Sequence, residues 1–173
     1  MSNIREKAKK IKLMVFDVDG VLTNGQLYFT EEGTELKAFN TLDGHGIKML
    51  QHCGIQTALI TGRTSSIVIK RAKDLGIHHL YQGREDKLKA LLELLDKTGI
   101  KMEETAYAGD DLPDLAAIRA AGLGVTVANA HPFLVKHADW QTHLSGGSGA
   151  AREICDLILD AQGHLDALHK RYL

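Results

Sequence analysis

The sequence predicts an α/β fold, a parallel sheet covered by helices on both faces. Short apolar segments of strand length alternate with amphipathic segments of helix length between residues 12 and 161. This alternation is typical of βαβ units, which build parallel sheets. The chain has 173 residues, of which 44% are hydrophobic and 25% are charged, as in an ordinary soluble protein. We therefore expect residues 1–173 to form a single domain.

The composition also excludes several classes of function. A net charge of −1 leaves no broad basic surface for nucleic acid and no polybasic patch for a membrane. Cys53 and Cys155 give no disulfide framework, so a reducing compartment is the simpler expectation. Residues 1–10 are charged and lack the apolar core of a signal peptide, and no apolar stretch reaches bilayer length. The sequence predicts a cytoplasmic protein with no nucleic-acid or membrane partner.

The strands and helices follow from apolar runs and from the residues that end them. Strands are predicted where short apolar runs occur, at residues 12–16, 55–61, 78–81, 105–108 and 124–128. Helices are predicted where apolar residues recur at helical spacing, often before a glycine, at residues 43–53, 65–75, 86–98, 112–121 and 150–161. In the helix at 86–98, Leu88, Leu91, Leu92 and Leu95 form the apolar repeat. We expect Leu88 and Leu92 to lie in the core.

A β-hairpin is predicted after the first strand. Residues 26–30 and 36–40 flank a turn that contains Gly33. The hairpin, residues 25–40, offers apolar surface through Leu27, Phe29, Leu36 and Phe39. No interval between the candidate functional residues described next is long enough to fold as a separate cap domain. The predicted fold is therefore capless, with the hairpin as its insertion.

Two carboxylates follow the first strand, at Asp17 and Asp19. Side chains two positions apart on an extended chain point to the same side, so both acids face one small volume. Their mutual repulsion raises the pKa of one of them unless a cation lies between them. The pair suits acid/base catalysis or a Mg²⁺ site, although an Asp-Gly turn would also explain it.

Other polar residues follow the remaining strands. Thr61 and Gly62 end the second main strand, Lys87 begins the long helix, and Asp110 and Asp111 follow the strand at 105–108. Alone, each has an ordinary interpretation as a turn, a solvated lysine or a helix cap. Because ligands bind at the carboxyl ends of parallel strands, the groups are expected to meet there. Together they predict a phosphoryl-transfer site.

The motifs identify the chain as similar to a known superfamily. DVDGVLT at residues 17–23, Thr61, Lys87 and GDDLPD at 109–114 resemble the four motifs of the haloacid dehalogenase superfamily. That resemblance implies a Rossmann-like three-layer core and a Mg²⁺-dependent phosphohydrolase. Within the superfamily, DGHGIKML at 43–50, ITGR at 60–63 and GGSGAARE at 146–153 resemble the 3-deoxy-D-manno-octulosonate 8-phosphate phosphatases. These serve the lipopolysaccharide inner core. His45 stands where an apolar residue is expected.

The residues can be assigned roles in such a reaction. Asp17 is the predicted nucleophile and Asp19 the general acid/base. Mg²⁺ is expected at Asp17, the main-chain carbonyl of Asp19, and Asp110, with Asp111 or Asp114 in support. Thr61 and Gly62 are expected to cradle the phosphate, and Lys87 to offset its charge. Arg63, Arg71 and Arg84 are candidates for a substrate carboxylate, of which Arg63 follows the phosphate-binding turn directly.

A lid that excludes water is useful for phosphoryl transfer, and the hairpin is the candidate. The resembling phosphatases are tetramers in which a neighbouring subunit covers the site, so we expect a homotetramer. The hairpin could instead pack on its own core. Residues 163–173 are expected either to dock at a neighbour's site, as in the resembling family, or to fray.

Other functions were weighed against this one. The nearest alternative is a phosphatase for another sugar phosphate, such as a nonulosonic acid 9-phosphate. A phospho-receiver module would carry its phosphorylated Asp on a middle strand, whereas the strand at 55–61 ends in Thr61. A non-catalytic oligomerisation module would not need Asp17, Asp19, Lys87 and Asp110 together.

Overall fold

The computed structural model describes residues 2–173, with the backbone alone at residue 2. The predicted domain of 1–173 therefore includes one residue, Met1, outside the described part. The helices are α1 Ser2–Ala8, α2 Thr41–His52, α3 Ser66–Leu75, α4 Lys87–Thr98, α5 Leu115–Ala120, α6 Pro132–Val135, α7 Ala150–Ala161 and α8 Leu165–His169. The strands are β1 Leu13–Phe16, β2 Tyr28–Phe29, β3 Glu35–Leu36, β4 Gln56–Ile60, β5 His79–Tyr81, β6 Thr105–Gly109, β7 Leu123–Thr126 and β8 Trp140–Gln141.

Six strands form one sheet in the order β5-β4-β1-β6-β7-β8, and all of their pairings are parallel. Strand β1 lies in the middle, between β4 and β6. Its last residue, Phe16, is in register with Leu59 of β4 and Ala108 of β6. The segments that follow these three strands therefore begin at one level, at the carboxyl edge of the sheet. This confirms the predicted parallel α/β architecture.

Helices cover both faces of the sheet. Met14 and Phe16 of β1 pack into one buried cluster with residues of α2, α3 and α7. Leu13 and Val15, on the opposite face of the same strand, pack into a second cluster with residues of α4 and α5. This alternation follows from the two-residue period of a strand. The result is the three-layer arrangement that the sequence predicts.

The hairpin is shorter than predicted. Its strands are only Tyr28–Phe29 and Glu35–Leu36, paired antiparallel. Residues 37–40 leave the strand conformation because Asn40 caps α2, its side chain accepting a hydrogen bond from the Leu42 amide at 2.8 Å. Phe39 packs against the core instead of adding to the exposed surface. The prediction of a second hairpin strand at 36–40 was wrong.

Two helices also differ from the prediction. Leu92 of α4 is 52% exposed and Leu88 is half-buried, so the expected core positions were wrong. The helix predicted at 112–121 begins instead as a 3₁₀ turn at Leu112–Asp114, followed by α5.

The C-terminal segment packs on its own chain. Helix α8 and a 3₁₀ turn at Lys170–Tyr172 return to α2. The Tyr172 hydroxyl lies 3.1 Å from Nε2 of His45, and Nη1 of Arg171 lies 2.8 Å from Nε2 of His52. These short elements, like α1, α6 and β8, were not predicted. Across residues 2–173, every helix is too short or too polar to cross a membrane.

Candidate active site

A cavity of about 760 Å³ lies at the carboxyl edge of the sheet. Its walls come from the segments that follow β1, β4, β5 and β6. They are Asp17, Asp19, Gly25, Thr61, Gly62, Arg63, Glu85, Lys87, Asp110, Asp111, Pro113 and Asp114. The structure thus brings together all of the predicted site residues except Arg71 and Arg84.

Asp17 is the first residue after β1 and is 5% exposed. Its Oδ2 lies 3.0 Å from the Nζ of Lys87, which is also buried. Its Oδ1 is buried and has no hydrogen-bond partner among the described residues. One carboxylate oxygen is therefore held by a cation, while the other is free to meet a ligand.

Asp110 approaches the loop after β1 because that loop contains Gly20. Gly20 has φ +98°, a conformation that favours glycine, and a Cβ there would lie 2.0 Å from Oδ2 of Asp110. Any larger residue at position 20 would displace the Asp110 carboxylate. Among residues 2–173, nothing donates a hydrogen bond to Oδ1 of Asp110, although the atom is buried.

Asp114 organises the centre of the site. It is 0% exposed, and its Oδ1 accepts hydrogen bonds from Nζ of Lys87 at 2.7 Å and from the hydroxyl of Tyr107 at 2.9 Å. Its Oδ2 accepts from the amides of Asp110 at 3.2 Å and Asp111 at 3.3 Å. Asp114 therefore fixes both the lysine and the loop, which suits the supporting role predicted for it.

The electrostatics show a site short of positive charge. Burial, reinforced by the charge of Asp114, raises the pKa of Asp17 well above its ordinary value, although Lys87 opposes this. The same causes raise the pKa of Asp110 to about 7. Burial would lower the pKa of Lys87, but Asp17 and Asp114 outweigh it and raise that pKa. One lysine does not balance the acids around it.

The donor set fits a divalent cation. Carboxylate oxygens of Asp17, Asp110 and Asp114 lie within 4.8 Å of one another, and we call these three residues the carboxylate cluster. Both oxygens of Asp114 already accept hydrogen bonds, whereas Asp17 and Asp110 each keep one buried oxygen free. Mg²⁺ prefers such hard oxygen ligands, so these two free oxygens are the candidate ligands.

Asp19 lies on the other side of the cavity, beside the hairpin. Its Oδ1 forms an ion pair with Nζ of Lys37, and its Oδ2 lies 4.0 Å from Nε of Arg63. Lys37 was not predicted from the sequence. A single lysine near the end of a hairpin strand usually faces solvent, so no local signal marks it.

Thr61 and Gly62 form the turn after β4. Thr61 is buried, and its amide donates to the carbonyl of Tyr81 on β5 at 2.9 Å. Gly62 has open space where a Cβ would stand, so a ligand can approach its backbone. Arg63 reaches back to the hairpin, where its Nη2 donates to Oε1 of Glu35 at 2.8 Å.

The other two candidate arginines do not line the cavity. Nη2 of Arg71 donates to the carbonyl of Asn40 at 3.2 Å, and its guanidinium lies over the ring of Phe39. Arg84 forms a bidentate pair with Glu93 at 2.7 and 2.8 Å. Substrate binding by Arg71 stays a prediction. The guanidinium of Arg84 is occupied by its ion pair with Glu93 on the surface of α4.

The glycine-rich segment at 146–149 packs against the loop that follows β1. A Cβ on Gly146 would lie 1.7 Å from the carbonyl oxygen of Gly20. The amide of Gly147 donates to the carbonyl of Val21 at 3.0 Å. The segment can pack this closely only because Gly146 and Gly147 have no side chains, which gives these two glycines a structural reason.

Several known proteins are similar to this chain in fold and in sequence. A family model of haloacid dehalogenase-like hydrolases matches residues 76–154. The 3-deoxy-D-manno-octulosonate 8-phosphate phosphatase of Salmonella typhi is 50% identical over 95% of this chain and 88% of its own. The corresponding phosphatase of Moraxella catarrhalis, solved with magnesium ion, phosphate ion and KDO, is 49% identical with a TM-score of 0.98, covering 100% of this chain and 99% of its own. A probable phosphatase from Pseudomonas syringae pv. phaseolica is 57% identical with a TM-score of 0.98, covering 99% and 98%.

The fold and the acids at the carboxyl edge of its sheet thus define a hydrolase of the haloacid dehalogenase superfamily. About half of the residues are identical between this chain and its relatives, over nearly the full length of both, and this identifies the family within the superfamily. The chain belongs to the 3-deoxy-D-manno-octulosonate 8-phosphate phosphatase family, which confirms the resemblance drawn from its motifs.

Proposed function

We propose that this protein is a Mg²⁺-dependent phosphatase that hydrolyses 3-deoxy-D-manno-octulosonate 8-phosphate to the free sugar acid and phosphate, a step of lipopolysaccharide inner-core synthesis. The observation that carries the proposal is the buried Asp17. It is held by Lys87 through one oxygen, keeps the other free, and faces a cavity in a chain half identical to phosphatases of this name.

Asp17 acts as the nucleophile. Its free oxygen attacks phosphorus, the bond from phosphorus to the sugar oxygen breaks, and an aspartyl-phosphate forms. The pair with Lys87 orients the carboxylate for this attack. When bound at Asp17, Asp110 and the main-chain carbonyl of Asp19, Mg²⁺ supplies positive charge that keeps the acids ionised and stabilises the transferring phosphoryl group.

Asp19 moves the protons. In the first step it gives a proton to the departing sugar oxygen, which leaves as an alcohol. In the second step it takes a proton from the water that attacks the aspartyl-phosphate, which releases phosphate and restores Asp17. Asp19 lines the cavity, and its Oδ2 accepts no hydrogen bond within residues 2–173, which suits a group that exchanges protons with a ligand.

The remaining residues bind the substrate. Thr61 and the amide of Gly62 cradle the phosphate on the turn after β4. Arg63 meets the sugar-acid carboxylate, since its guanidinium already binds a carboxylate, that of Glu35, at the mouth of the cavity. Substrate binding would exchange one carboxylate partner for another, which accounts for a preference for acidic sugar phosphates.

We further propose a cytoplasmic homotetramer in which the hairpin forms the subunit contacts. Leu27 is 49% exposed, Phe29 57% and Leu36 52%, so the hairpin presents apolar surface to solvent in the single chain. Apolar side chains this exposed are typical of an interaction surface. Symmetric closure would bury them and cover the neighbouring cavity.

A phosphate-release screen tests the proposed activity. We expect turnover of the eight-carbon keto-acid 8-phosphate to exceed that of a nonulosonic acid 9-phosphate, a hexose phosphate and an aryl phosphate. Activity should disappear in EDTA and return with Mg²⁺. If the nine-carbon substrate is turned over faster, the protein is instead a nonulosonic acid 9-phosphate phosphatase. Full activity in EDTA would contradict the metal-dependent mechanism.

A further inference from the structure

Lys37 is a buried cation directly beside the proposed general acid. Its side chain is 2% exposed, although it belongs to the exposed hairpin. Its Nζ forms an ion pair with Oδ1 of Asp19 and lies 3.4 Å from Oε1 of Glu35. A buried lysine is rare unless its charge is paired, so the position of the ammonium is set by these two carboxylates.

Because of this contact, the two oxygens of the Asp19 carboxylate have different surroundings. Oδ1 is held by Lys37, whereas Oδ2 is buried and lacks a hydrogen-bond partner in the described part of the chain. Nε of Arg63 lies 4.0 Å from Oδ2, too far for a hydrogen bond. With one oxygen anchored, rotation of the carboxylate is restricted. The free oxygen stays available to the cavity that Asp19 lines.

We propose that Lys37 is a positioning residue for the phosphatase reaction, holding Asp19 so that its free oxygen faces the departing sugar oxygen. The inference rests on the role of Asp19 in the proposed function. Lys37 acts through Asp19, and it also ties that acid to the hairpin. Removing the ammonium would let the carboxylate rotate away from the leaving group, and misplacement of a catalytic group by about 1 Å can cost roughly 10²-fold in rate.

The test separates positioning of the acid from general structural support. A sugar alcohol is a poor leaving group that needs a proton, whereas an activated aryl oxide leaves without one. The value of kcat/KM reports steps up to departure of the leaving group, so it excludes hydrolysis of the aspartyl-phosphate. Lys37→Met should therefore lower kcat/KM on the order of 10²-fold for the sugar-acid phosphate and less than about threefold for an activated aryl phosphate.

A double-mutant cycle strengthens the test. Asp19→Asn should show the same selective loss on its own, and adding Lys37→Met to it should cost little more, because residues that act as one unit are non-additive. Lys73→Met removes an exposed lysine from α3 and serves as the matched control. It should leave kcat/KM unchanged for both substrates. If Lys37→Met does not fold, Lys37→Arg provides the second variant. Arginine keeps the positive charge but places its hydrogen-bond donors differently. Its kcat/KM should therefore fall less than in Lys37→Met, and again mainly for the sugar-acid phosphate.

Each outcome has a distinct meaning. Equal losses on both substrates, or a full additional cost in the Asp19→Asn background, would overturn the positioning role and leave Lys37 as a structural or substrate-contacting residue. If Asp19→Asn itself shows no selective loss, the proposed role of Asp19 fails, whatever Lys37 does. A selective loss in Asp19→Asn but none in either Lys37 variant would reject the inference and keep the proposed function.

Discussion

Replacing Asp110 with asparagine should stabilise the metal-free protein and at the same time remove most of its stabilisation by Mg²⁺. The carboxylate has one buried oxygen that accepts no hydrogen bond within residues 2–173, and it lies beside Asp114. These surroundings raise its pKa from the ordinary 3.8 to about 7. In the unfolded chain this carboxyl ionises near its ordinary pKa. Between pH 3.8 and about pH 7, the folded protein therefore holds a proton on Asp110 that the unfolded chain has lost.

The sign and size follow from proton linkage. Because the folded state of metal-free protein holds the proton more tightly, its stability falls as pH rises from about 4 to about 7. Each unit of difference in pKa corresponds to about 1.4 kcal/mol. At pH 8 the ionised Asp110 therefore lowers the free energy of unfolding by at most about 4 kcal/mol. Asparagine carries no charge but still buries a polar group, so we expect a gain of about 2 kcal/mol. For a chain of this size that corresponds to roughly 4–8 °C in Tm.

Thermal unfolding at pH 5 and pH 8, in EDTA and in Mg²⁺, measures both effects. Wild-type protein in EDTA should be less stable at pH 8 than at pH 5, and Mg²⁺ should recover more stability at pH 8. Asp110→Asn should reduce the pH dependence and remove most of the Mg²⁺ effect. The exposed Asp96→Asn of α4 is the control, expected to change stability by less than about 0.5 kcal/mol. A variant no more stable than wild type at pH 8 in EDTA would refute the reasoning.

Three further predictions concern catalysis, substrate and assembly. Asp17→Asn should lower kcat on the order of 10³-fold or more and prevent trapping of an aspartyl-phosphate, whereas near-normal turnover would reassign the nucleophile. Arg63→Ala should raise KM for the eight-carbon keto-acid phosphate much more than for an aryl phosphate, and equal effects would place Arg63 in phosphate binding or folding instead. Leu27→Asp together with Phe29→Asp should dissociate the proposed tetramer in sedimentation while the sheet stays folded, because an unpaired charge is costly in an interface. A fully active wild-type monomer would show that the site needs no neighbouring subunit.

The sequence predicts the sheet and the acids well because both depend on local signals. The run Leu13–Phe16 is apolar and ends at Asp17, so the strand and the place of the carboxylate follow from the same few residues. Thr61 and Asp110 follow strands in the same way, and the parallel register of β4, β1 and β6 then brings them together. The strand ends and their polar residues are thus read locally, and the parallel α/β pattern then supplies the expectation that they meet at one edge.

The hairpin network could not be predicted in this way. The ion pair of Lys37 with Asp19, and that of Glu35 with Arg63, join segments whose spacing follows no strand or helix period. Their formation depends on how the hairpin folds over the cavity, which its short strands do not determine. The same limit applies to Arg71, whose contact with the Asn40 carbonyl depends on how α3 packs against the start of α2.

The face of α4 was predicted wrongly because the helix offers more than one apolar stripe. Leucines at five positions cover a wide arc, and periodicity alone does not choose among them. The position of Lys87 does distinguish between these stripes. Lys87 must face the cavity, and residues four, seven and eight positions later share its side of the helix. Those residues are Leu91, Leu94 and Leu95, and all three are buried. Combining the functional and packing constraints would have placed Leu92 outside.

The distribution of charge explains why one side of the cavity needs a metal and the other does not. The carboxylate cluster sets three acids against Lys87, so full ionisation of the three would leave two negative charges unbalanced in a buried place. On the hairpin side, Asp19 and Glu35 are matched by Lys37 and Arg63, which leaves that network neutral. A divalent cation is therefore drawn to the cluster, where it also favours the ionised form of Asp17, the proposed nucleophile. The charge of Asp19 is already balanced by Lys37 through Oδ1, which leaves Oδ2 without a hydrogen bond and available for the proposed proton transfer.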